Sequence, residues 1–165
     1  MTAFLKRVLP LPACFGGCVV QILDFPNVIE VGKDFVAQAG VQDQVTFRPG
    51  NALEEEFPTD QCAVLMSYLS SSIPGNTLMP TYAKAFEATK PGGFIFIHDF
   101  VIENDRQGPP LTALWALQHM VFTPGAESLT PNMISDRLVE AGYVDITWYE
   151  MIPGMTKLAV GVKPE

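Results

Sequence analysis

Cys18-Val19-Val20-Gln21-Ile22-Leu23, closed by Asp24 and followed at once by Phe25-Pro26, decides the fold. The apolar run is too short for a helix, it ends on an acid, and it hands over to a proline that pre-sets a helical start. It reads as a buried strand. The helix after it carries Val28, Ile29, Phe35, Val36 and Ala39 near one face, with Gly40 placed to end it. Val45-Thr46-Phe47-Arg48 predicts a second strand that stops at Gly50-Asn51. Cys62-Ala63-Val64-Leu65-Met66-Ser67 predicts a third, entered from the acidic loop Glu54-Glu55-Glu56.

Residues 78–89 predict a helix with Pro80 in its first turn and Tyr82, Ala83 and Phe86 on a common side, ended by Lys90-Pro91-Gly92-Gly93. Phe94-Ile95-Phe96-Ile97 then stops at His98-Asp99, and so continuous an apolar run suits a parallel strand covered on both faces. Residues 111–121 predict another helix. A last one starts at Thr130 as N-cap with Pro131 at its first position, turns Ile134, Leu138 and Val139 inward and stops at Gly142. Residues 144–149 and 157–162 predict a closing hairpin around Pro153-Gly154. Strands alternating with helices, then an antiparallel end, is the pattern of an α/β, Rossmann-like open sheet, mostly parallel with a C-terminal antiparallel hairpin. Residues 18–165 are expected to form this domain, with 1–17 an atypical N-terminal segment.

The chain of 165 residues is 48% apolar and 17% charged, which describes a folded domain with one sizeable core. Eighteen acidic against ten basic residues give a net charge of −8. Nucleic-acid backbone and anionic membrane would both be repelled, leaving a small molecule as the expected partner. Cys14, Cys18 and Cys62 are odd in number and lack zinc spacing, so neither a disulfide framework nor a metal site is expected. Lys6-Arg7 followed by Val8-Leu9 has a trace of an export signal, but Pro10, Pro12, Gly16 and Gly17 interrupt it. A cytoplasmic protein with no membrane span is expected.

In sheets of this kind ligands bind outside the carboxyl ends of the strands. The polar residues that end the apolar runs are Asp24, Asn51, Ser67 and His98-Asp99. Singly, each has a structural reading: Asp24 as a helix cap, Asn51 as a turn former, Ser67 as a satisfied hydroxyl. Together they would line one rim of one sheet. An acid at a strand end, spaced to bond a ribose diol, and a polar residue one βα unit later near a purine amine suit an adenosine-bearing cofactor.

Ile22-Leu23-Asp24-Phe25-Pro26-Asn27-Val28-Ile29, Val45-Thr46-Phe47-Arg48-Pro49-Gly50-Asn51-Ala52, Val64-Leu65-Met66-Ser67, Lys90-Pro91-Gly92-Gly93 and Glu140-Ala141-Gly142-Tyr143 occur in this order. Over about residues 19–162 the chain resembles S-adenosylmethionine-dependent O-methyltransferases of the hydroxyindole and caffeic acid type. The resemblance implies a class I methyltransferase sheet and methyl transfer from S-adenosylmethionine to a small-molecule hydroxyl by in-line displacement. It implies that Asp24 holds the ribose, that Gly50, Asn51 and Ala52 sit at the adenine, and that Ser67 lies near the methionine half.

Two departures stand beside it. The family has a glycine-rich loop between its first strand and first helix, whereas here only Phe15-Gly16-Gly17 precedes the Cys18 strand. The first strand-helix unit therefore reads as missing or replaced, and the family's dimerisation domain as absent. That strand would lie between the Cys18 and Cys62 strands, so its loss exposes two unpartnered edges. Residues 3–9 are the remaining candidate, and Lys6-Arg7 would be costly in a buried strand. The isolated chain is therefore expected to be destabilised, to bind S-adenosylmethionine weakly or not at all, and to show no measurable transfer; micromolar binding would mean that the N-terminal segment rebuilds the site.

The second departure is the base. The family's His-Asp pair after the fourth strand is replaced by Tyr68-Leu69-Ser70-Ser71-Ser72, with Ser71 near the His position. Three serines read as a solvated loop, and serine is no base near neutral pH without a partner. His98 reads as structural or as an auxiliary, and His119, on a segment that in the family helps form the acceptor pocket, is the candidate catalytic base. A thioether acceptor would need no base, since neutral sulfur loses no proton on methylation, which leaves S-methylation as an alternative. A non-catalytic remnant or partner-binding module is the alternative from a different class. A nicotinamide enzyme is disfavoured, because no Gly-x-Gly-x-x-Gly stands between a strand and a helix.

Overall fold

The computed structural model describes residues 19–165; Cys14, Gly16, Gly17, Cys18 and the segment 3–9 lie outside them. The chain divides into two compact units, one ending at Glu56 and the other Phe57–Glu165.

In the first unit β1 (Val20–Asp24), α1 (Pro26–Ala39) and β2 (Val45–Pro49) form a βαβ unit. The strands pair in parallel from Val20↔Val45 to Asp24↔Pro49. Pro26 occupies the first turn of α1, and Gly40 ends it at φ 68°, a left-handed conformation that costs glycine no steric penalty. Val28, Ile29 and Val36 are buried, and Ile22, Val36, Val41 and Val45 make the core, with Val20, Phe35 and Phe47 against it. Each fully buried aliphatic side chain contributes about 1.5–3 kcal/mol.

The second unit holds β3 (Gln61–Ser67), α2 (Leu78–Ala88), β4 (Thr89–Phe100), α3 (Pro110–Phe122), α4 (Pro131–Glu140), β5 (Val144–Ile152) and β6 (Thr156–Val162). Its sheet runs β3-β4-β6-β5, with β3 parallel to β4 and β6 antiparallel to both neighbours. The alternating α/β order and the closing hairpin are as the sequence implies. β1 and β2 form a separate two-stranded sheet, so the described strands fall into two sheets and not one.

Several local expectations change. Lys90-Pro91-Gly92-Gly93 lies inside β4, because α2 already ends at Ala88. A Cβ at Gly93 would stand 2.8 Å from the Lys90 carbonyl oxygen and 3.0 Å from that of Cys62, so only glycine lets the two backbones approach here. Phe94 and Phe96 are partly exposed while Ile95 and Ile97 are fully buried, so the apolar run is covered on one face there. β4 continues through His98 and Asp99, which were expected to follow the strand, because β6 supplies Leu158 and Lys157 opposite them.

The inward face of α2 is Leu78, Thr81, Tyr82, Ala85 and Ala88, a 3–4 residue spacing that leaves Ala83 outside. Thr130 caps α4 by accepting from the Met133 amide at 3.3 Å. Ile134 and Leu138 turn inward as expected, but Val139 is 61% exposed, one residue off the buried stripe. α3 buries Thr112 and Ala116 and leaves Leu114, Leu117, Val121 and Phe122 outside.

Candidate functional site

Asp24 is the last residue of β1 and Asn51 stands two residues beyond β2. Parallel pairing brings the two carboxyl ends side by side, and the Gly50 amide donates to the Asp24 carbonyl at 2.9 Å. The Asp24 side chain does not cap α1 from the N-cap position, which is Phe25; its Oδ1 accepts from the Phe25 amide at 2.8 Å. Its Oδ2 makes no hydrogen bond among the described residues. Burial raises the carboxyl's pKa above its ordinary value, against the opposing pull of the Phe25 amide. A half-buried carboxylate only accepts, which suits it to neighbouring hydroxyl donors.

Asn51 is more fully engaged. Its Oδ1 accepts from the Leu53 amide at 3.1 Å, its Nδ2 donates to Glu54 at 3.0 Å, and its carbonyl accepts from the Glu54 and Glu55 amides at 2.9 Å each. The asparagine builds the turn, and Glu55 is held in it by Arg48 at 2.9 Å. Gly50 lies under Glu55, whose Cγ would meet a Cβ there at 2.6 Å. Ala52 is half-buried in the same turn.

In the second unit Ser67 ends β3 opposite His98. Its Oγ lies 3.0 Å from His98 Nδ1, and His98 Nε2 lies 3.0 Å from Thr156 Oγ1, so the imidazole is held from both sides. Tyr68, at φ 56°, donates its amide to the His98 carbonyl at 2.8 Å and lays its ring 4.8 Å from the imidazole.

The three serines are not a solvated loop. Ser70 and Ser71 are 1% and 3% exposed, in a short 3₁₀ turn over Ser70–Ser72. Ser71 donates its hydroxyl to Asp99 Oδ1 at 2.6 Å and its amide to Oδ2 at 2.9 Å; Oδ1 also accepts from the Phe100 amide at 2.8 Å. Tyr82 donates to Ser70 Oγ at 2.9 Å. Burial pushes the Asp99 carboxyl up to about 6, with the Ser71 hydroxyl and the amides pulling the other way. Asp99 is therefore the buried anchor of the turn, a role the sequence did not reveal because the two residues stand 28 positions apart.

His119 lies on α3 with its ring 5.5 Å from Trp115 in an edge-on contact. Its Nε2 is buried without a hydrogen-bond partner among the described residues, and burial lowers its pKa, so the imidazole is neutral at neutral pH. Trp115 was missed by sequence reasoning, although its place four residues before His119 on a helix is the spacing that brings two side chains together. Cys62, the one cysteine among the described residues, is free and exposed. No helix among them is long and apolar enough to cross a membrane.

The sequence profile of the O-methyltransferase domain matches residues 3–144. The chain is 28% identical over 160 residues to acetylserotonin O-methyltransferase of Homo sapiens, covering 88% of this chain and 46% of that protein. It is 24% identical over 143 residues to 3-hydroxy-5-methyl-1-naphthoate 3-O-methyltransferase of Streptomyces sahachiroi, covering 86% of this chain and 41% of that one. The chain thus spans less than half the length of these relatives. The crystal structure of human N-acetylserotonin methyltransferase in complex with SAM superposes with a TM-score of 0.80 at 22% identity, over 93% of this chain and 43% of that one. That likeness concerns the fold, a class I methyltransferase sheet.

Proposed function

Because the chain belongs to the S-adenosylmethionine-dependent O-methyltransferase family, we propose that it transfers a methyl group from S-adenosylmethionine to the hydroxyl of a small aromatic molecule in the cytoplasm. The observation that carries this is the half-buried carboxylate of Asp24 at the end of β1, whose acceptor chemistry fits a ribose diol. Support for the acceptor class comes from the relatives, whose names specify acetylserotonin and a hydroxynaphthoate. They do not favour the thioether or the remnant reading. The profile match begins at residue 3, which supports counting the segment before Cys18 in the domain.

In the first unit Asp24 would hold the two ribose hydroxyls, while Gly50, Asn51 and Ala52 would shape the turn beside the adenine. In the second, Ser67 would meet the methionine half, its hydroxyl oriented by His98. The cofactor supplies an electrophilic methyl on a sulfonium sulfur. With that methyl supplied to the acceptor oxygen, His119 would take the hydroxyl proton on Nε2 and so become an imidazolium. The test is incubation with methyl-labelled S-adenosylmethionine and 1-naphthol, or with 3-(methylthio)propanoate as thioether, followed by mass spectrometry. Labelled methoxynaphthalene is the expected product. A labelled sulfonium in its place, or no labelled product, overturns the proposal.

A further inference from the structure

α3 is held along one side only. There a run of rings meets it, with Tyr68 5.3 Å from Phe100 and Phe100 stacked on Trp115 at 4.3 Å, and Thr112 and Ala116 are buried. Thr112 also donates to the Met155 carbonyl at 2.9 Å. The opposite side is apolar and bare. Leu111, Leu114, Leu117, Met120, Val121 and Phe122 are between 48% and 76% exposed, and at about 3.6 residues per turn they share one arc of the helix with Leu114 near its centre. Pro110–Phe122 contains no Asp, Glu, Lys or Arg, so no charge interrupts the arc. A large apolar residue exposes roughly 200 Å² when fully open, so these six present on the order of 700 Å², above the roughly 300–600 Å² of the largest patch on a typical monomer.

Charge and area together select what covers such a face. The chain carries a net charge of −8, so an anionic lipid surface is repelled, and a basic partner finds no acid on α3 to hold it. Two copies of the chain repel each other wherever acids meet, and they meet with least repulsion across a face that has none. Val144, Tyr149 and Met151 are also exposed, but they stand on β5 among Asp145 and Glu150, where a second copy would set acid against acid. A two-fold pairing of identical surfaces needs no complementary charge. The area is near the 800 Å² or so that each partner of a standard stable interface contributes. We infer that α3 is the contact face of a homodimer, its apolar arc packed antiparallel against that of a second copy, with the two-fold axis passing near Leu117. The antiparallel sense also sets opposite helix dipole ends together, and Leu117 is nearest the middle of the exposed run. Nothing in this pairing depends on methyl transfer.

Sedimentation equilibrium on the full chain, with no cofactor added, is the test. At about 100 μM, well above a micromolar dissociation constant, the expected mass is twice the 18.1 kDa of one chain. Raising the salt should tighten the association, because it screens the net charge of each copy. Leu117→Glu and Leu117→Lys should each weaken it at least about tenfold, since like charges then face each other across the axis. An equimolar mixture of the two should regain a dimer. Leu117 is exposed, so the urea midpoints of both variants should match that of the wild type at a dilution where all are monomers. Val144→Glu on β5 should leave the dimer intact. A monomeric wild type, a dimer that survives Leu117→Glu, or a mixture that stays monomeric overturns the inference. So does a monomer that floats with phosphatidylcholine vesicles, which would make lipid the occupant of the face.

Discussion

The Gly50 amide donates to the Asp24 carbonyl across 2.9 Å, fastening the turn after β2 to the last residue of β1. The acid and the turn are thereby set by one backbone bond between adjacent parallel strands, and neither depends on a long side chain to find its place. Asn51 closes the turn with bonds to Leu53 and Glu54.

Asn51→Ala should therefore act on stability before it acts on chemistry. It removes the side-chain acceptor of the Leu53 amide, at a cost of about 1 kcal/mol. Urea denaturation should show that loss, with S-adenosylmethionine affinity falling as the turn loosens. Unchanged stability would mean that the turn holds without its side chain.

Asp99 gives a pH dependence with a definite sign. Its carboxyl is raised from 3.8 to about 6 in the folded chain, so between those values the folded state keeps a proton that the unfolded state has released. The contribution to stability is full below about pH 4 and is lost as pH rises through about 6, on the order of 2–3 kcal/mol. Asp99→Asn cannot titrate. The difference in unfolding free energy between wild type and variant, followed by urea denaturation from pH 4 to pH 7, should shift against the wild type as pH rises. A pH-independent difference would contradict the assignment.

These two sites differ in how far the sequence could announce them. Pro26, Gly40, Thr130-Pro131 and Gly142 mark element ends by local chemistry, and the structure places those ends where the residues imply. Asp24 and Asn51 follow from the same logic, each next to the end of its own strand. The burial of Ser70 and Ser71 depends on Asp99 and Tyr82, partners 28 and 12 positions away, and serine carries no hydrophobic period to betray it. His98 and Asp99 fall inside β4 because β6, some sixty residues later, pairs with them. The ring run from Tyr68 to Trp115 is equally non-local, and only its last step, Trp115 to His119, was within reach of helical spacing.

For the reaction, burial holds His119 below the ordinary histidine pKa, so its base form persists into mildly acid solution. The rate of hydroxyl methylation should rise with pH through an apparent pKa under the usual value near 6.5 and level off above it. His119→Gln should remove the rise and lower the plateau on the order of 10²-fold or more. A rise that survives in the variant would assign the proton to another group.

The most direct measurement of the account is calorimetric titration of S-adenosylmethionine into the wild-type chain and into Asp24→Ala. The account predicts a saturable isotherm for the wild type, and for the variant a loss on the order of 2–3 kcal/mol, from two charge-assisted hydrogen bonds to the ribose. Equal binding to the two proteins, or none to the wild type, would contradict it.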